Sequence, residues 1–260
     1  MIWRLGVAGF PIEHSLSPLL HEAGLSLAGL SGSSVRLSIK AEEANQLTGI
    51  MGRDVDALSV TMPLKERVGS LCASLDPVAA RTGSVNSLLW REGELHGACT
   101  DGKGFTEYLG TGLSYELADK VVAVLGAGGA AKAIVDGLVE VGVKSVLIFG
   151  RTASHVSELV ERYAVVKDGS SCSESIDLVI NTTPVEGRSD RDQVLDGVKS
   201  TSMAVDITYE PRMSTWRSRH EAMGCRTANG LGMLAYQAAL QMQWWFEAPI
   251  SGAQLLEVIQ

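Results

Sequence analysis

Short apolar runs alternate with segments of helical periodicity along most of the chain. The apolar runs include LGVAG, VRLSI and ALSV, and the helical segments include SPLLHEAGLSLAGL, AEEANQLTGIMG and PLKERVGSLCASL. This alternation is typical of βα units whose strands form a parallel sheet covered by helices. We therefore predict an α/β fold with a mainly parallel sheet in the N-terminal part of the chain.

The alternation is interrupted at SVNSLLWREGELHGAC. Two extended runs flank Arg91, Glu92 and Gly93 there, and a glycine-containing turn between two such runs indicates a β-hairpin. We expect this hairpin to be an antiparallel insertion.

A second series of βα units begins after a polar helix near residues 101–112. Its strands are VVAVL, KSVLIFG, DLVINTT and MAVDITY, and a fresh start of this kind indicates a second sheet. Two C-terminal segments, LGMLAYQAALQMQWWFE and SGAQLLEVIQ, have helical periodicity. We predict a substrate-binding and catalytic domain of residues 1–101 plus 231–260, to which the C-terminal helices return. Residues 102–230 are predicted to form a Rossmann-like nucleotide-binding domain.

Composition and charge exclude several classes of protein. The hydrophobic share of 45% and the charged share of 20% are close to the average for globular domains. A formal net charge of −8 is not the basic footprint of a nucleic-acid binder. Apolar stretches fall short of the roughly 20 residues that a membrane helix needs, and the N-terminus lacks the features of a signal peptide. We therefore expect a cytoplasmic protein that binds neither nucleic acid nor membranes.

The cysteines and histidines do not indicate a metal site. Cys72, Cys99, Cys172 and Cys225 lie far apart without a CxxC pair, and the five histidines form no HExxH spacing. We expect the cysteines to be buried thiols and expect no catalytic metal.

A glycine-rich loop joins the strand at residues 121–125 to a helix-prone segment. Glycine in such a loop permits a tight turn and close approach of a pyrophosphate to the helix N-terminus. An ordinary strand-to-helix turn is the alternative, because glycines are common there. The loop residues are Gly126, Ala127, Gly128, Gly129 and Ala130.

Arg151 and Thr152 follow the next strand, where dinucleotide-binding folds distinguish their cofactors. An acidic residue at this place suits the ribose 2′-hydroxyl of NAD, whereas an arginine suits the 2′-phosphate of NADP. Arg151 therefore favours NADP, and a solvated arginine at a strand end is the alternative.

Polar residues also follow the strands of the first half. Ser15 and Ser17 lie in a turn before a helix, with Pro18 at a favoured first position. We expect Ser17 to be the N-cap and the turn to hold a carboxylate, the alternative being ordinary capping. Further on, Lys65 and Asp101 follow strands, and such a pair in a desolvated site could pass a proton.

Nine stretches together resemble the shikimate dehydrogenase family. They occur in the family's order over Gly9 to Trp245 and read GFPIEHSLSP, SVTMPLK, GSVNSLL, CTDGKGF, VLGAGGAAKA, GRT, INTTP, DITYEP and GLGMLAYQAALQMQWW. The resemblance implies reversible NADP-dependent reduction of 3-dehydroshikimate to shikimate, in the pathway to aromatic amino acids. It also implies that Lys65 and Asp101 are the catalytic pair.

The resemblance also assigns the ligand contacts. Ser15 and Ser17 would bind the carboxylate, whose end Tyr209 would close. The residues implied to hold ring hydroxyls are Thr61, Asn86 and Gln237. The residues implied to bind NADP are Gly126, Ala127, Gly128, Gly129, Ala130, Arg151, Thr152, Thr183 and Gly230. From the residues alone, three of these residues have an alternative. Asn86 would only satisfy the hairpin backbone, Gln237 would be a solvated helix residue, and Tyr209 would belong to a simple turn.

The sequence departs from the family pattern in three places. Ser59 and Cys99 stand where the family has asparagines, and we expect a gap or a water beside Ser59 and altered substrate fit at both. The family's NRT with a later arginine is replaced by Gly150, Arg151, Thr152 and His155. Because a histidine is only partly charged near neutral pH, we expect a weaker preference for NADP.

Other functions remain open at the level of sequence. A quinate or aminoshikimate dehydrogenase would use the same scaffold, and a sensor of a cyclic acid or NADP would keep the two domains without turnover. Retention of Lys65 and Asp101 speaks against the sensor. A small-molecule substrate is expected in either enzyme, and the chain is expected to be a monomer or a homodimer.

Overall fold

The structure, a computed structural model, describes residues 2–171, 174–183 and 195–260. Cys172 lies outside the described residues. The chain divides into two units, Met1–Tyr108 with Leu234–Gln260, and Leu109–Met233. An α/β fold with two mainly parallel sheets and C-terminal helices returning to the first unit is confirmed.

The first unit contains a six-stranded sheet in the order β2-β1-β3-β5-β6-β4. Its strands are β1 (Ile2–Gly9), β2 (Ser31–Ser38), β3 (Ala57–Val60), β4 (Ser74–Leu75), β5 (Ser87–Arg91) and β6 (Glu94–Ala98). Its helices are α1 (Ser17–Leu27), α2 (Leu47–Ile50), α3 (Pro77–Thr82) and α4 (Asp101–Glu107). β5 pairs antiparallel with both β3 and β6, whereas the other pairs are parallel. The predicted hairpin is therefore confirmed.

The hairpin turn explains the sequence at its tip. Glu92 and Gly93 have φ angles of 55° and 84° between the paired residues Arg91 and Glu94. Positive φ at both central positions matches the right-handed twist of the flanking strands, and glycine adopts it without steric cost.

The second unit contains a six-stranded, parallel sheet in the order β12-β11-β10-β7-β8-β9. Its strands are β7 (Val121–Leu125), β8 (Ser145–Phe149), β9 (Val166–Asp168), β10 (Ile176–Asn181), β11 (Val198–Asp206) and β12 (Arg226–Ala228). Its helices are α5 (Gly129–Glu140), α6 (Ala153–Arg162) and α7 (Thr215–Ala222). β7 is buried along its whole length, as expected for a central strand covered on both faces.

Two helices end the chain, α8 (Leu231–Phe246) and α9 (Gly252–Ile259). From Leu234 onward α8 belongs to the first unit, where its apolar side chains, Trp245 among them, enter the core. A Cβ on Gly24 of α1 would lie 2.3 Å from the sulfur of Met242, so the small residue lets the two helices approach closely.

The first unit ends later than the sequence predicts. The predicted boundary at residue 101 would separate α4 from this unit, whereas the observed division follows Tyr108. Gly104 supplies the physical reason, because a Cβ there would lie 2.5 Å from the backbone nitrogen of Gln237. α4 therefore packs directly against the α8 backbone.

The free cysteines of the described chain differ in exposure. Cys99 and Cys225 are buried as expected, whereas Cys72 is only partly buried.

Replacing Gly104 with alanine is expected to lower the free energy of unfolding of the first unit by about 1–3 kcal/mol, because the added methyl must displace the α8 backbone. Urea unfolding monitored by tryptophan fluorescence measures the change. Gly49→Ala in α2 is the matched control: a Cβ there meets nothing within 4 Å, so the substitution should be neutral or stabilising. Equal effects of the two variants would contradict this account of the α4–α8 contact.

Candidate active site

The polar residues of the first unit lie where strands meet one edge of the sheet. β1 and β3 run parallel, so the segments that follow both strands leave the sheet at the same edge, the one at the carboxyl ends of these strands. β5 runs in the opposite direction, with Ser87 opposite both Ser59 and Ala98. Asn86, just before β5, and Asp101, just after β6, therefore reach the same edge.

Lys65 and Asp101 form an ion pair. Nζ of Lys65 donates a hydrogen bond to Oδ2 of Asp101 at 2.6 Å. The Asp101 side chain is 3% exposed and the Lys65 side chain 17%, so the ammonium is the more accessible partner. A carboxylate buried without a cation would carry a large desolvation cost. Each partner therefore holds the other in place.

Asn86 binds the other oxygen of the Asp101 carboxylate. Its Nδ2 lies 2.9 Å from Oδ1 of Asp101. The same nitrogen lies 2.9 Å from Oε1 of Gln237 and 3.0 Å from Oγ1 of Thr100. The Asn86 Oδ1 accepts from the Thr100 amide at 2.8 Å, which agrees with this orientation of the side-chain amide. Asn86 thus serves both the backbone and the carboxylate, and Gln237 is buried rather than solvated.

The turn before α1 is built differently from the prediction. The helix begins at Ser17 and the N-cap is Leu16, so the assignment of Ser17 as N-cap is wrong. Oγ of Ser15 accepts a hydrogen bond from the Ser17 amide at 3.3 Å, a local turn that satisfies this amide. Arg36 donates to the Ser15 carbonyl at 2.7 Å and ties the turn to β2. Ser15, rather than Ser17, therefore supplies the side-chain acceptor of this turn, and neither serine is the N-cap of the helix.

The hydroxyls of Ser17 and Thr61 have no hydrogen-bond partner among the residues that the structure describes. Ser17 is buried and Thr61 partly buried. Gly9 makes room for Thr61, because a Cβ at Gly9 would lie 2.4 Å from the Thr61 methyl carbon. Both hydroxyls are thus available to a ligand.

The Ser59 hydroxyl has two hydrogen-bond partners in the protein. The water expected beside Ser59 is therefore not required to satisfy this hydroxyl. The residue is buried, and its hydroxyl lies 2.9 Å from Nε2 of His21 and 2.6 Å from Oε1 of Gln241. Nδ1 of His21 lies 2.7 Å from the Ser34 hydroxyl. Complete burial lowers the pKa of His21 to about 3, so the imidazole is neutral at physiological pH.

Cys99, the other departure, points to packing rather than reactivity. Its backbone amide donates to Oδ1 of Asp76 at 3.2 Å. Burial raises the pKa of the Cys99 thiol to about 12, so the group remains protonated and poorly nucleophilic.

The glycine loop of the second unit has the features of a phosphate cradle. Gly126 has a φ of 114°, and a Cβ there would lie 2.3 Å from the Thr182 hydroxyl. Gly128 is the extended N-cap of α5, and a Cβ on it would project into open space. The first-turn amides of α5 have no intrahelical acceptor, and Gly129 and Ala130 provide two of them. The loop therefore fits a pyrophosphate.

Gly150 has a packing role that explains the departure from NRT. A Cβ at this position would lie 2.7 Å from a Val156 methyl and 3.2 Å from Cβ of Ala127. The loop after β8 thus approaches the glycine loop closely. Arg151 and Thr152 are exposed beside it, and His155 is exposed in the first turn of α6.

The remaining predicted cofactor residues lie in loops of the second unit. Thr183 donates from its amide and its hydroxyl to Oδ1 of Asn181, at 3.1 and 2.5 Å. Gly230 passes so close to the Ile207 carbonyl that a Cβ would lie 1.8 Å from its oxygen.

Tyr209, the predicted contact at the carboxylate end of the substrate, is partly buried in the loop after β11.

Sequence reasoning missed four residues around the site. His21 and Gln241 each follow a predicted site residue, Ser17 and Gln237, by four positions on a helix. That spacing places them on the same helical face and was the available signal. The other two, Arg36 and Thr100, carried no comparable signal.

The described residues contain neither a candidate metal-binding cluster nor a helix of membrane-spanning character. No group of three or more histidine, cysteine, aspartate or glutamate side chains there could hold a metal ion. No helix there is long and apolar enough to span a membrane.

Two family models match successive parts of the chain. The model described as shikimate dehydrogenase substrate binding domain matches residues 7–88. The model described as shikimate / quinate 5-dehydrogenase matches residues 110–214.

Similar proteins match over nearly the full length. A shikimate dehydrogenase (NADP(+)) of Paramagnetospirillum magneticum is 35% identical over 93% of this chain and 91% of its own. One from Desulforamulus reducens is 31% identical over 94% of this chain and 91% of its own. The crystal structure of shikimate 5-dehydrogenase from Thermus thermophilus, in complex with NADP(H) and shikimate, is 31% identical and superposes with a TM-score of 0.87. That alignment covers 99% of this chain and 98% of the other.

The buried imidazole predicts a pH-dependent stability. The folded state keeps His21 neutral down to a pH of about 3, whereas the unfolded chain binds a proton below a pH of about 6.5. The unfolded state therefore binds more protons in this window, and stability falls as the pH falls. Relative to wild type, His21→Asn should be less destabilising at pH 4.5 than at pH 7.5, by about 2–3 kcal/mol. Urea unfolding at the two pH values measures this.

His14→Asn is the control, because His14 is exposed and a surface substitution changes the free energy of unfolding little. A destabilisation by His21→Asn that stays constant with pH would show that His21 is not buried as a neutral group.

Proposed function

We propose that this chain, which belongs to the shikimate dehydrogenase family, catalyses the reversible NADP-dependent reduction of 3-dehydroshikimate to shikimate. The observation that carries the proposal is the Lys65–Asp101 pair, whose carboxylate is nearly inaccessible while the ammonium keeps contact with solvent. The family relation adds support, because relatives over 90% or more of this chain are named for this activity and cofactor.

Lys65 is proposed to move the proton. In the direction of reduction, negative charge develops on the substrate oxygen, and Nζ of Lys65 donates a proton to it. In the reverse direction the neutral amine takes this proton from the hydroxyl. Asp101 accepts the hydrogen bond from Nζ and so orients the ammonium. The cofactor, when bound, would supply the hydride as NADPH in the reduction and accept it as NADP+ in the oxidation.

The substrate contacts are proposed from hydrogen-bonding capacity. Ser17 and Thr61 offer hydroxyls without protein partners among the described residues, and hydroxyls both donate and accept. Ser15 belongs to the same turn as Ser17 and completes the proposed carboxylate site. Asn86 and Gln237 are proposed to meet ring hydroxyls from the side of the ion pair.

Tyr209 stays a proposed carboxylate contact on the strength of the family pattern. The first unit, Met1–Tyr108 with Leu234–Gln260, is proposed to provide most of the substrate contacts, and the second unit, Leu109–Met233, to bind NADP.

The cofactor is proposed to bind at the loop between β7 and α5. Gly126, Ala127, Gly128, Gly129 and Ala130 would cradle the pyrophosphate, whose charge the N-terminus of α5 favours. Arg151 and Thr152 would bind the 2′-phosphate. Thr183 and Gly230 would shape the loops beside the nucleotide.

Quinate is the second candidate substrate, because the family model that matches residues 110–214 is described for both acids. Spectrophotometry of NADPH formation with shikimate and then with quinate separates the two. Absence of turnover with both acids would contradict the proposal and favour a binding protein.

A cytoplasmic location and a monomeric or homodimeric assembly complete the proposal. A biosynthetic activity coupled to NADP suits the cytoplasm.

Lys65→Ala should lower kcat for shikimate oxidation by about a hundredfold or more, because it removes the proton-transferring group. Lys103→Ala is the matched control, since Lys103 lies on α4 beside Asp101 but is exposed and pairs only loosely with Glu107 at 3.7 Å. Circular dichroism verifies folding of both variants. Near-normal turnover by folded Lys65→Ala would show that the proposed proton donor is wrong.

Arg151→Gln should raise KM for NADP by about ten- to a hundredfold, because a charge-assisted contact with the 2′-phosphate is lost. KM for NAD should change little, since NAD lacks this phosphate. Arg162→Gln is the control at the far end of the adjoining helix α6, where Arg162 pairs with Glu158 at 2.9 Å. Equal increases for both cofactors would place Arg151 outside the 2′-phosphate site.

A further inference from the structure

A continuous chain of hydrogen bonds runs through the core of the first unit and leads to Asn86, which binds Asp101 of the Lys65–Asp101 ion pair. It begins at the Ser34 hydroxyl and passes through both ring nitrogens of His21 to the Ser59 hydroxyl. From Ser59 it continues to Oε1 of Gln241 at 2.6 Å, and Nε2 of Gln241 donates to the Asn86 carbonyl at 2.7 Å. All members except Ser34 are buried.

The directions of these hydrogen bonds are fixed from the Asn86 end. A carbonyl can only accept, so the nitrogen of the Gln241 amide faces Asn86 and its oxygen faces Ser59. The Ser59 hydroxyl must then donate to Gln241 and accept from Nε2 of His21. Nδ1 of His21, left without a proton in the neutral ring, accepts from the Ser34 hydroxyl. Every donor therefore meets an acceptor in one arrangement.

A neutral imidazole completes this arrangement, with Nε2 as the donor to Ser59 and Nδ1 as the acceptor from Ser34. The complete burial of His21 keeps the ring uncharged, with a pKa lowered to about 3. The ring also packs edge-on against Trp245, with centroids 5.3 Å apart. The tautomer and the ring plane are thus both constrained.

The chain of hydrogen bonds ends at Asn86, the residue whose side chain binds the Asp101 carboxylate. The Asn86 carbonyl accepts from Gln241 and also from the Val60 amide at 2.7 Å. Beyond this carbonyl, the Asn86 side chain binds Oδ1 of Asp101, and Asp101 binds Lys65. A shift of the Asn86 backbone would therefore move the carboxylate that orients the ammonium.

We propose that Ser59, His21 and Gln241 are positioning residues for the reaction, acting through Asn86 on the Lys65–Asp101 pair. The inference rests on the proposed function, because it assigns these residues to the same proton-transfer site. It also gives Ser59 a role: its short hydroxyl joins His21 to Gln241, residues from two different helices.

Ser59→Ala tests the proposal, and Ser87→Ala is its matched control. Ser87 follows Asn86 on β5, is fully buried, and accepts from Nε1 of Trp245 on α8 at 2.8 Å. Both variants lose a buried hydroxyl between the sheet and α8, so both should be less stable. Only Ser59→Ala should lower kcat with shikimate, by about five- to twentyfold, and KM for NADP should stay unchanged in both.

Amide hydrogen exchange gives a readout independent of turnover. The Thr100 amide donates to Oδ1 of Asn86 at 2.8 Å and reports on this side chain. Relative to the global unfolding measured for each variant, its exchange should accelerate in Ser59→Ala and not in Ser87→Ala. If wild type does not turn over shikimate, the proposed function fails, whereas the exchange data still decide whether the chain positions Asn86.

Gln241 provides a second, directional test that does not depend on the folding of Ser59→Ala. Gln241→Met fills similar volume but removes both contacts, and Gln241→Glu keeps an acceptor for Ser59 while losing the donor to Asn86. Both should reproduce the loss of kcat and the faster Thr100 exchange. If Ser59→Ala and Gln241→Met lower stability alone, as Ser87→Ala does, the network is purely structural and the proposal is overturned.

Discussion

The buried carboxylate of Asp101 is the constraint on which the rest of the first unit depends. An ionised group that is almost fully withdrawn from water is tolerated only with a cation and with hydrogen bonds to its oxygens. Lys65 supplies the cation on one oxygen and Asn86 a donor on the other. Three separate parts of the chain must therefore converge, and the sheet is arranged so that they do.

The antiparallel β5 is what makes this convergence possible. In a parallel sheet, ligand-binding loops follow the carboxyl ends of strands. Asn86 precedes its strand, so it reaches the same edge only because β5 runs in the opposite direction to β3 and β6. α8 then closes the arrangement, because Gln237 contacts the Asn86 side chain and Gln241 its carbonyl.

Periodic features of the sequence were sufficient to predict the fold class. They did not predict the buried hydrogen bonds that hold the site residues in place. Strand and helix alternation, the turn at Glu92 and Gly93, and the glycine loop are local patterns, and local patterns are visible without a structure. Ser59 and Gln241 lie 182 residues apart, and no periodicity connects them. The N-cap at α1 failed for a related reason: Ser15 and Ser17 both suit a cap, and tertiary contacts such as that from Arg36 favour a turn made by Ser15.

Departures from a family pattern acquire meaning only when their surroundings are known. Ser59 and Gly150 both look like losses in the sequence, a shorter polar side chain and a missing amide. In the structure the Ser59 hydroxyl joins two buried groups that would otherwise lack partners, and an unpaired buried polar group is costly. Gly150 lies so close to Val156 and Ala127 that any side chain would push the two loops apart. An asparagine restored at either position would therefore have to displace packed neighbours, so these residues fit their own surroundings rather than being defects.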